Sequence, residues 1–473
     1  MRNGRGWALG AIGAATLLAG PAWAQGAPAL VRAPSPAQAL AMVGKGDTAW
    51  MLVSTALVLM MSAPALALFY GGLVRAKNML SVCMQVFSIV CIAALVWVSW
   101  GYSLAFTGGS PFIGGLGKAF GMGVGVGTTA ATYSNNVYLP EYAYLAFQMT
   151  FACITPALIV GAFAERVRFT PLMIFAVLWL TLVYCPLAHC VWYWAGPDYL
   201  PDAPGDAGFL FKAGALDFAG GTVVHIDAGI AGLVGCLVIG RRLGFRAEPM
   251  PPHSLVMTLI GASLLWVGWF GFNAGSALEA NGTAALALVN TLVATAAAAV
   301  AWAGIEQALH RRSSLLGAVT GAIAGLVAVT PASGYAHPTG AILLGFAASG
   351  VCFFFVTTVK SRFGYDDTLD VFGVHCVGGV VGALATAILA APSLGGQGYM
   401  DYTRFPAVPA AAYDIAHQLW VQAEAVLLTL GWSGGVSFLL FTLLDRTMGL
   451  RPTPEIEHDG LDLAEHGERA YSF

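Results

Sequence analysis

The chain has 473 residues, of which 58% are hydrophobic and only 10% are charged, a composition that excludes a water-soluble globular protein. Its 59 glycines suit helices that pack closely, backbone against backbone, in a lipid bilayer. The formal net charge of −3, without a basic stretch, argues against nucleic acid as a partner.

The N-terminus is typical of a secretory signal peptide. Arg2 and Arg5 precede a short apolar run, and small residues follow up to Ala24. We therefore predict a signal peptide over residues 1–24 that is cleaved after Ala24; the alternative is a retained anchor helix. After cleavage, the mature chain would begin with an outer segment, residues 25–47, on the periplasmic side of an inner membrane.

Eleven apolar runs follow, and each is long enough to cross a bilayer, since a spanning helix needs about 20 residues. They cover approximately residues 48–72, 79–106, 142–165, 169–191, 219–240, 254–274, 282–303, 315–331, 338–358, 370–391 and 422–444. The predicted fold is an all-α polytopic membrane protein, with a transmembrane domain over 48–445 and a polar tail over 446–473.

Basic residues in the connecting loops predict the orientation of these spans. If the N-terminus lies outside, the inward loops carry Arg75, Lys77, Arg166, Arg168, Arg241, Arg242, Arg246, Arg311, Arg312, Lys360 and Arg362, and the outward loops carry only Lys118, Lys212 and Arg404. Cytoplasmic loops are enriched in lysine and arginine. We therefore expect a periplasmic N-terminus and a cytoplasmic C-terminus in the inner (plasma) membrane.

All eight cysteines fall within predicted spans, so no disulfide framework is expected. Cys185, His189 and Cys190 have a spacing that superficially resembles a metal site. Because no further ligands accompany them, we interpret them as buried packing residues. We predict no metal and no cofactor.

Two predicted spans share a pattern that indicates an internal duplication. Asp217 precedes His225 by eight residues, and Asp367 precedes His375 by eight residues, so both pairs are offset by 150. Glycines follow each histidine at plus four and plus seven, namely Gly229, Gly232, Gly379 and Gly382. Since the fifth span enters from outside and the tenth from inside, we predict two inverted five-helix repeats plus a final helix.

The two histidines are the main functional signal in this pattern. An ionisable residue at membrane depth is expensive and indicates a functional site with a partner. For one histidine, a hydrogen bond between helices is the alternative, but two at symmetric positions favour a lined pathway. Neutral imidazoles each offer one donor and one acceptor. The pair would therefore guide a small polar molecule or relay a proton.

Aromatic residues recur at helical spacing in three spans. The positions are Phe147 and Phe151 in the third span, Trp192 at the end of the fourth, and Trp269 and Phe272, with Ser276, in the sixth. Such stripes more often reflect helix packing or an interfacial belt than a binding site. Taken alone, they do not establish a ligand.

At these residues the sequence resembles the ammonium transporter (Amt/Mep/Rh) family, in its bacterial Amt form. The motifs "DFAGGTVVHI", "DVFGVH", "GAFAER" and "GWFGFNAGS" carry the resemblance, which runs from about residue 48 to the end. It implies a transporter rather than an enzyme, with an outer vestibule that receives ammonium and a hydrophobic pore for ammonia. Whether the proton follows the ammonia is left open.

The resemblance also implies roles for individual residues. The vestibule would consist of Trp192, Phe147, Phe151 and Ser276; the phenyl gate of Phe151 and Phe272; the pore lining of Trp269; the twin-histidine pair of His225 and His375; and the essential outer aspartate would be Asp217. The aspartate would act through structure, proton handling or both. Ammonium would lose its proton at the base of the vestibule.

The tail sequence "GLDLAEHGERAYSF" resembles the cytoplasmic C-terminus of the same family. The matching residues are Gly460, Asp462, His466, Gly467, Glu468 and Tyr471. In relatives, this tail lies against the inward loops and couples the subunits of a homotrimer, and PII signal proteins can plug the pore exit. The implied partners are therefore further copies of the chain, membrane lipid and a PII-type protein. A solvated appendage is the alternative.

Asp227 departs from the family pattern, in which the residue two positions after the first histidine is uncharged. At 100° per residue, Asp227 lies about 200° around the helix from His225. We interpret it as a paired or protonated acid at a helix interface, with proton transfer as the alternative. Cys376, which follows the second histidine, should likewise face away from the pore.

Two other functions are compatible with a polytopic membrane protein. An ammonium sensor would signal through the tail and a PII-type partner, and the intact tail allows this reading. An aquaporin- or urea-type channel would instead need a constriction arginine and paired half-helices, neither of which the sequence indicates.

Overall fold

The computed structural model describes residues 34–199, 206–401, 408–409 and 412–471. The predicted signal peptide, residues 1–24, and the start of the outer segment lie outside the described residues. Within them, eleven helices are long and apolar enough to cross a membrane, which confirms the predicted number of spans. The first to eleventh spans are Lys45–Leu73, Ala76–Phe106, Glu141–Ala162, Phe169–Trp192, Gly221–Ile239, Leu255–Gly275, Gly282–His310, Leu315–Ala332, Pro338–Phe363, Phe372–Leu389 and Ile415–Met448.

Short elements connect these spans. The helices are Pro36–Ala41, Phe209–Ala213, Pro454–Asp459 and Leu461–His466, and single 3₁₀ turns cover Ala119–Gly121, Pro197–Tyr199 and Pro392–Leu394. Two small antiparallel hairpins pair Thr129–Ala131 with Tyr138–Pro140 and Met400–Asp401 with Val408–Pro409. The glycine-rich stretch at 108–129 is largely irregular.

The predicted eleventh span, 422–444, was too short at both ends. The helix begins at Ile415 because the Asp414 side chain accepts hydrogen bonds from the backbone N–H groups of Ala416 and His417. It ends where Gly449 adopts φ +74°. Capping side chains and a left-handed glycine therefore set the helix length, and polar residues extend the helix beyond its apolar stretch.

Small residues let the spans approach each other closely. A Cβ atom added at Gly345 in the ninth span would lie 2.3 Å from the Ala294 carbonyl oxygen of the seventh. A Cβ atom at Gly261 would lie 2.3 Å from the Phe69 backbone nitrogen. Such contacts replace a hydrophobic driving force, which is absent between helices in lipid. Large apolar side chains meanwhile remain exposed on the outside, among them Leu95 at 71%.

The fifth and tenth spans cross in opposite directions. A Cβ atom at Gly229 would lie 2.3 Å from the backbone nitrogen of Cys376, and one at Gly379 would lie 2.9 Å from the Gly221 carbonyl oxygen. The later part of each span therefore packs against the first turn of the other. Each span also opens with a π-helical turn that contains its histidine, a local geometry that occurs frequently at functional sites.

Four loops and the tail meet at one end of the molecule, called here the tail end. The Glu165 carboxylate accepts hydrogen bonds from the Arg75 and Arg242 guanidinium groups. The Arg242 guanidinium also pairs with the Asp366 carboxylate, at an N–O distance of 2.7 Å. Arg166 is fully buried beside them, and its Nη2 donates to the Asp366 carbonyl oxygen at 2.5 Å. Four of the five loops that the sequence assigned to the inward side thus lie together. The opposite end, called here the vestibule end, carries a large cavity.

Candidate functional site

A cavity of about 710 Å³ opens at the vestibule end. Its walls come from the loops after the second, fourth and sixth spans, and from residues 397–400. Trp192 and Asp217 both line it, so the structure brings two of the predicted residues to one wall. Its volume lies in the usual range for small-molecule sites.

A much smaller pocket of about 10 Å³ continues from this cavity, with room for about one water-sized molecule. Trp192, Phe218 and Tyr133 line both spaces. The complete lining of the pocket is Tyr133, Gln148, Phe151, Trp192, Phe218, Ser276 and Leu278. Three of the four predicted vestibule residues therefore meet around a space of ammonium size.

The fourth predicted vestibule residue, Phe147, is not part of this lining. Its ring packs edge to face on Phe151, with centroids 5.0 Å apart, and it would contact a Cβ atom added at Gly275. Gln148, Tyr133 and Phe218 line the pocket in its place. Of these, Gln148 carried a signal that sequence reasoning missed, since it is a polar residue in the middle of an apolar span.

Hydrogen bonds orient the polar atoms of the pocket. The Ser276 hydroxyl donates to the Phe272 carbonyl oxygen at 2.8 Å, so the lone pairs of its oxygen remain available to accept. The Trp192 indole N–H donates to the Asp217 carbonyl oxygen at 2.9 Å. Burial raises the pKa of Tyr133 to about 12, with a further contribution from Asp217, so its phenol stays neutral. A neutral acceptor and aromatic faces together favour a small cation.

Two stacked phenyl rings close the floor of the pocket. Phe151 and Phe272 lie with ring centroids 4.2 Å apart and planes inclined by 20°, and Trp192 meets Phe151 edge to face at 5.8 Å. Phe151 and Phe272 are almost completely buried. Passage beyond the pocket therefore requires one of these rings to move.

The two histidines lie directly beyond the phenyl rings. The His225 and His375 Nδ1 atoms are 3.3 Å apart, and His225 stacks on Trp269 at 5.3 Å. Trp269 is held by its indole N–H, which donates to the Thr330 hydroxyl at 2.9 Å. Because one Nδ1 must donate to the other, one imidazole carries its proton on Nδ1 and the other on Nε2. The pair thus offers one Nε2 acceptor and one Nε2 donor.

Glycine contacts set the separation of the histidines. Gly229 meets the backbone of Cys376, which is next to His375, and Gly379 meets the backbone of Ile226, which is next to His225. Each span therefore touches the other beside its histidine, at a position where a methyl group would not fit. The two contacts are equivalent under the duplication: each joins the glycine four residues after one histidine to the residue that follows the other histidine.

Asp217 caps the start of the fifth span. Its carboxylate accepts backbone N–H groups of Gly220, Gly221, Thr222 and Val223 at 2.5–3.3 Å, and the Thr222 hydroxyl as well. Asp367 caps the tenth span in the same way.

Asp367 accepts the backbone N–H groups of Val371 and Phe372 at 3.1 and 2.8 Å. The predicted duplication therefore extends from the sequence spacing to the local hydrogen bonding. In both spans, the aspartate orders the turn that carries the histidine.

Asp227 is completely buried, and neither carboxyl oxygen has a hydrogen-bond partner among the described residues. The Ser433 hydroxyl donates instead to the Asp227 backbone carbonyl at 2.9 Å. Asp227 was interpreted as a paired or a protonated acid, and the described residues provide no partner for a paired one. A protonated acid at the interface with the eleventh span remains the prediction.

Both ring nitrogens of His189 face backbone carbonyl oxygens. Its Nδ1 and Nε2 atoms lie 3.0 and 2.8 Å from the carbonyl oxygens of Ala105 and Ser110. Among the described residues, no group of three or more histidine, cysteine, aspartate or glutamate side chains could hold a metal ion. Cys376 is buried at the contact with Gly229.

The tail contacts the loops of the tail end. Asp462 accepts the backbone N–H groups of Leu80 and Ser81 at 3.0 and 2.8 Å, and the Tyr471 hydroxyl lies 3.0 Å from His253 Nε2.

The other predicted tail residues shape or extend this contact. His466 packs edge to face on Phe169, Gly460 and Gly467 adopt φ +109° and +69°, and the Glu468 N–H donates to the Asp462 carbonyl at 3.3 Å. The described tail is thus a docked segment and not a solvated appendage.

Glu457 is a tail residue that the sequence did not single out. Its carboxylate accepts from Arg451 at 2.8 Å and from the backbone N–H of Leu243 at 2.8 Å. Leu243 follows Arg242, which contacts both Glu165 and Asp366. The tail is therefore connected to the ion-pair network through the loop after the fifth span.

The arginines of this network hold its two carboxyl groups in their ionised form. Burial alone would raise the pKa of Glu165, but the hydrogen bonds and charges of Arg75 and Arg242 lower it below its ordinary value of 4.5. The pKa of Asp366 is likewise lowered, because contacts with Arg242 and Arg166 outweigh its burial. Both carboxylates thus stay charged at neutral pH and keep the loops together.

Known proteins resemble this chain over most of its length. Residues 49–471 match the Ammonium Transporter Family. The ammonium transporter of Bacillus subtilis (strain 168) is 44% identical over 426 residues, covering 90% of this chain and 98% of the relative. The ammonium transporter of Aquifex aeolicus (strain VF5) is 43% identical over 433 residues, covering 92% and 95%.

Solved structures agree with this match. A protein named Sensor Amt Protein superimposes with a TM-score of 0.78 at 28% identity, covering 89% of this chain and 98% of that one. Mep2 from Candida albicans gives 0.77 at 31% identity, covering 88% of each chain. The sequence motifs, the eleven spans and these similarities lead to one conclusion: the chain belongs to the ammonium transporter family.

Proposed function

We propose that this protein takes up ammonium at its vestibule end, removes the proton there and conducts ammonia past His225 and His375. The observation that carries the proposal is the arrangement in one line of a cation-sized pocket, stacked phenyl rings and the paired imidazoles. Family membership supports ammonium as the substrate.

The pocket suits the charged form of the substrate. Ser276 offers an oxygen lone pair, and the faces of Trp192 and Phe151 attract a cation by roughly 0.5–2 kcal/mol. Beyond the phenyl rings, a charge would cost at least about 2.5–3.5 kcal/mol at the bilayer centre. Ammonium avoids this cost by leaving its proton behind, which a potassium ion cannot do.

The imidazole pair suits the neutral form. Ammonia both donates and accepts hydrogen bonds, as do the two Nε2 positions of the pair taken together. Asp217 supports this path mainly through structure, since its two carboxylate oxygens accept from backbone N–H groups and the Thr222 hydroxyl. Whether the proton crosses by another route determines whether transport is electrogenic.

The vestibule end faces the periplasm in this proposal, and the tail end faces the cytoplasm. The excess of lysine and arginine in the loops of the tail end supports this orientation. The opposite directions of the fifth and tenth spans, and their matching aspartate caps, support two inverted five-helix repeats. A homotrimer in the inner membrane, with lipid around it, completes the proposed assembly.

An ammonium sensor is the second candidate, favoured by two observations. The fold resembles that of a protein named Sensor Amt Protein. The tail also contacts the loops through Asp462 and Glu457, so a change at the loops would be passed to the tail. In this function, a PII-type partner would read the tail; in a transporter, the same partner would close the pore exit.

The test is current on a solid-supported membrane, recorded from reconstituted protein during ammonium concentration jumps. The variant carries His225→Ala and His375→Ala together, and His310→Ala, an exposed histidine at the end of the seventh span, is the matched control. We expect wild type and control to give the same current. The double variant should lose the current or its discrimination against potassium.

The other outcomes separate the alternatives. A rise of internal pH without current in wild type would show electroneutral ammonia conduction. Ammonium binding with neither current nor pH change would contradict transport and leave the sensor. An unchanged selective current in the double variant would remove the histidines from the path.

A further inference from the structure

Glu279 occupies the tight turn between the sixth and seventh spans, three residues beyond Ser276. Leu278 before it has φ +61°, a left-handed conformation that side chains other than glycine rarely adopt. Because of this backbone conformation, the two neighbouring side chains reach different spaces. Leu278 lines the small pocket, and Glu279 lines the large cavity. The turn thus places a carboxylate on the approach to the pocket.

The Glu279 carboxylate is fixed on one side and unpartnered on the other. Its Oε2 accepts from the Ser134 hydroxyl at 3.0 Å and from the Asn281 amide at 3.2 Å. Asn281 is itself held, because its Oδ1 caps the seventh span through the Ala284 N–H at 3.0 Å. Glu279 is only 7% exposed, and Oε1 has no hydrogen-bond partner among the described residues.

A buried carboxylate oxygen without a donor is costly and favours the arrival of a cation. Asp217 also lines the vestibule, but its two oxygens already accept hydrogen bonds from the fifth span. Lys212 lies on the same wall with an exposed side chain, so its charge is screened by solvent. Of the two carboxylates that line the vestibule in the described chain, Glu279 is therefore the one with a free oxygen.

We propose that Glu279 forms a capture site for a monovalent cation that donates hydrogen bonds, such as ammonium or a primary alkylammonium, before it enters the Ser276 pocket. This inference rests on the proposed uptake of ammonium. The negative charge is shared by both carboxylate oxygens, so it attracts a cation in the vestibule before contact. The soft terminal torsion of the side chain then lets Oε1 turn to accept an N–H.

The chemistry of the site selects this class of ligand. A divalent metal ion needs several oxygen ligands, whereas Glu279 provides one free carboxylate oxygen. An ammonium ion needs one strong acceptor here and can keep its other hydrogen bonds to water in the open vestibule. The site would raise the local concentration of the cation at the pocket without holding it in the pore.

The test replaces Glu279 by glutamine, which has the same size and keeps a carbonyl oxygen for Ser134 and Asn281. Two readouts are measured: the ammonium concentration that gives half-maximal current, and ammonium binding followed by intrinsic tryptophan fluorescence. We expect Glu279→Gln to raise the half-saturating concentration about tenfold at low salt, with little change in maximal current. The difference should shrink as ionic strength rises.

Asp206→Asn is the matched control. It removes one negative charge at the same end, but Asp206 is paired with the Tyr193 hydroxyl at 2.8 Å and does not line the vestibule. It should leave the half-saturating concentration within about twofold of wild type. An equal shift in both variants would assign the effect to general surface charge and overturn the capture site.

The two readouts separate this inference from the proposed transport. Normal current with unchanged half-saturation and binding in Glu279→Gln would overturn the capture site and leave transport intact. Weaker binding in Glu279→Gln, in a protein that carries neither current nor ammonia flux, would support the capture site and overturn transport. The salt dependence of wild-type binding provides the same test without a variant: binding that is insensitive to salt would contradict capture by charge.

Discussion

Asp217 connects the start of the fifth span with the wall of the cavity. Its carboxylate orders the first turn of the fifth span, and its backbone carbonyl holds the Trp192 indole at 2.9 Å. A change at this position therefore affects the turn that carries His225 and the ring that lines the pocket. Loss of transport in an Asp217 variant alone would not identify a proton carrier.

We predict that Asp217→Asn lowers the stability of the protein. One oxygen becomes an amide that faces backbone N–H groups, so at least one buried donor loses its acceptor, at about 1–3 kcal/mol. Thermal unfolding in detergent, with tryptophan fluorescence for the pocket, measures this effect. Asp367→Asn is the control, with a smaller loss expected because Asp367 accepts only two backbone N–H groups in the described chain. Equal unfolding temperatures for wild type and Asp217→Asn would refute the capping role.

At this scale, the sequence predicted residues with strong motifs and missed residues that are brought in by distant segments. Trp192, Phe151 and Ser276 meet at the pocket. Tyr133 and Phe218 join them from two separate loops, and no spacing in the chain relates those loops to the sixth span. Phe147 has the right helical spacing but packs behind Phe151. Periodicity identifies a helix face, and only packing determines which ring on that face reaches the cavity.

Among the elements, the fifth and tenth spans determine the separation of the two imidazoles. Their closest contacts lie at Gly229 and Gly379, beside the two histidines. Overpacking such a contact typically costs about 1–3 kcal/mol and shifts the backbone. The two helices therefore cannot change their separation without moving the imidazoles.

We predict that Gly229→Ala reduces ammonium current strongly, because the new methyl group would lie 2.3 Å from the Cys376 backbone nitrogen and push the histidine turns apart. Gly350→Ala is the matched control, since an added Cβ atom there meets nothing within 4 Å. The control should keep its current and gain up to about 1 kcal/mol from helix propensity. Current measurements and unfolding temperatures of both variants provide the test, and full current in Gly229→Ala would refute the role of the contact.

The spans were predictable as elements because the bilayer imposes a length of apolar sequence that few other structures require. Their ends were less predictable. The seventh span, predicted at 282–303, continues to His310, where Arg311 adopts φ +60°. Hydropathy does not report on caps or on left-handed residues, so the polar turns at both ends of a span escape it.

At the scale of the whole molecule, the ion-pair network joins four loops and, through Glu457, the tail. Glu165 is its centre and has φ +75°, an unfavourable conformation for glutamate that the surrounding contacts maintain. The network therefore links segments that are far apart in the chain. Its carboxylates make its stability dependent on pH.

We predict that acid weakens the protein through Glu165. Its pKa in the folded protein is below the ordinary 4.5, so its contribution to stability is complete above pH 4.5 and is lost as pH falls through the folded value. Glu165→Gln should lower stability at pH 7, by less than the ~3–5 kcal/mol of a fully buried pair because Arg75 is 22% exposed. The unfolding temperatures of the two proteins should differ by a constant amount from pH 7 to pH 4.5 and converge as the pH falls below 4.5. Parallel curves would exclude Glu165 as the titrating group.

The aspartate caps also offset the positive helix termini at the starts of the fifth and tenth spans. A helix N-terminus carries about half a positive charge and is by itself an anion-binding site. Asp217 lines the cavity of the vestibule end, and Asp367 follows Asp366 of the tail-end network, so one such terminus lies at each end. Without Asp217 and Asp367, the same scaffold would present two electropositive mouths. The two aspartates thus satisfy helix N-termini that would otherwise attract an anion.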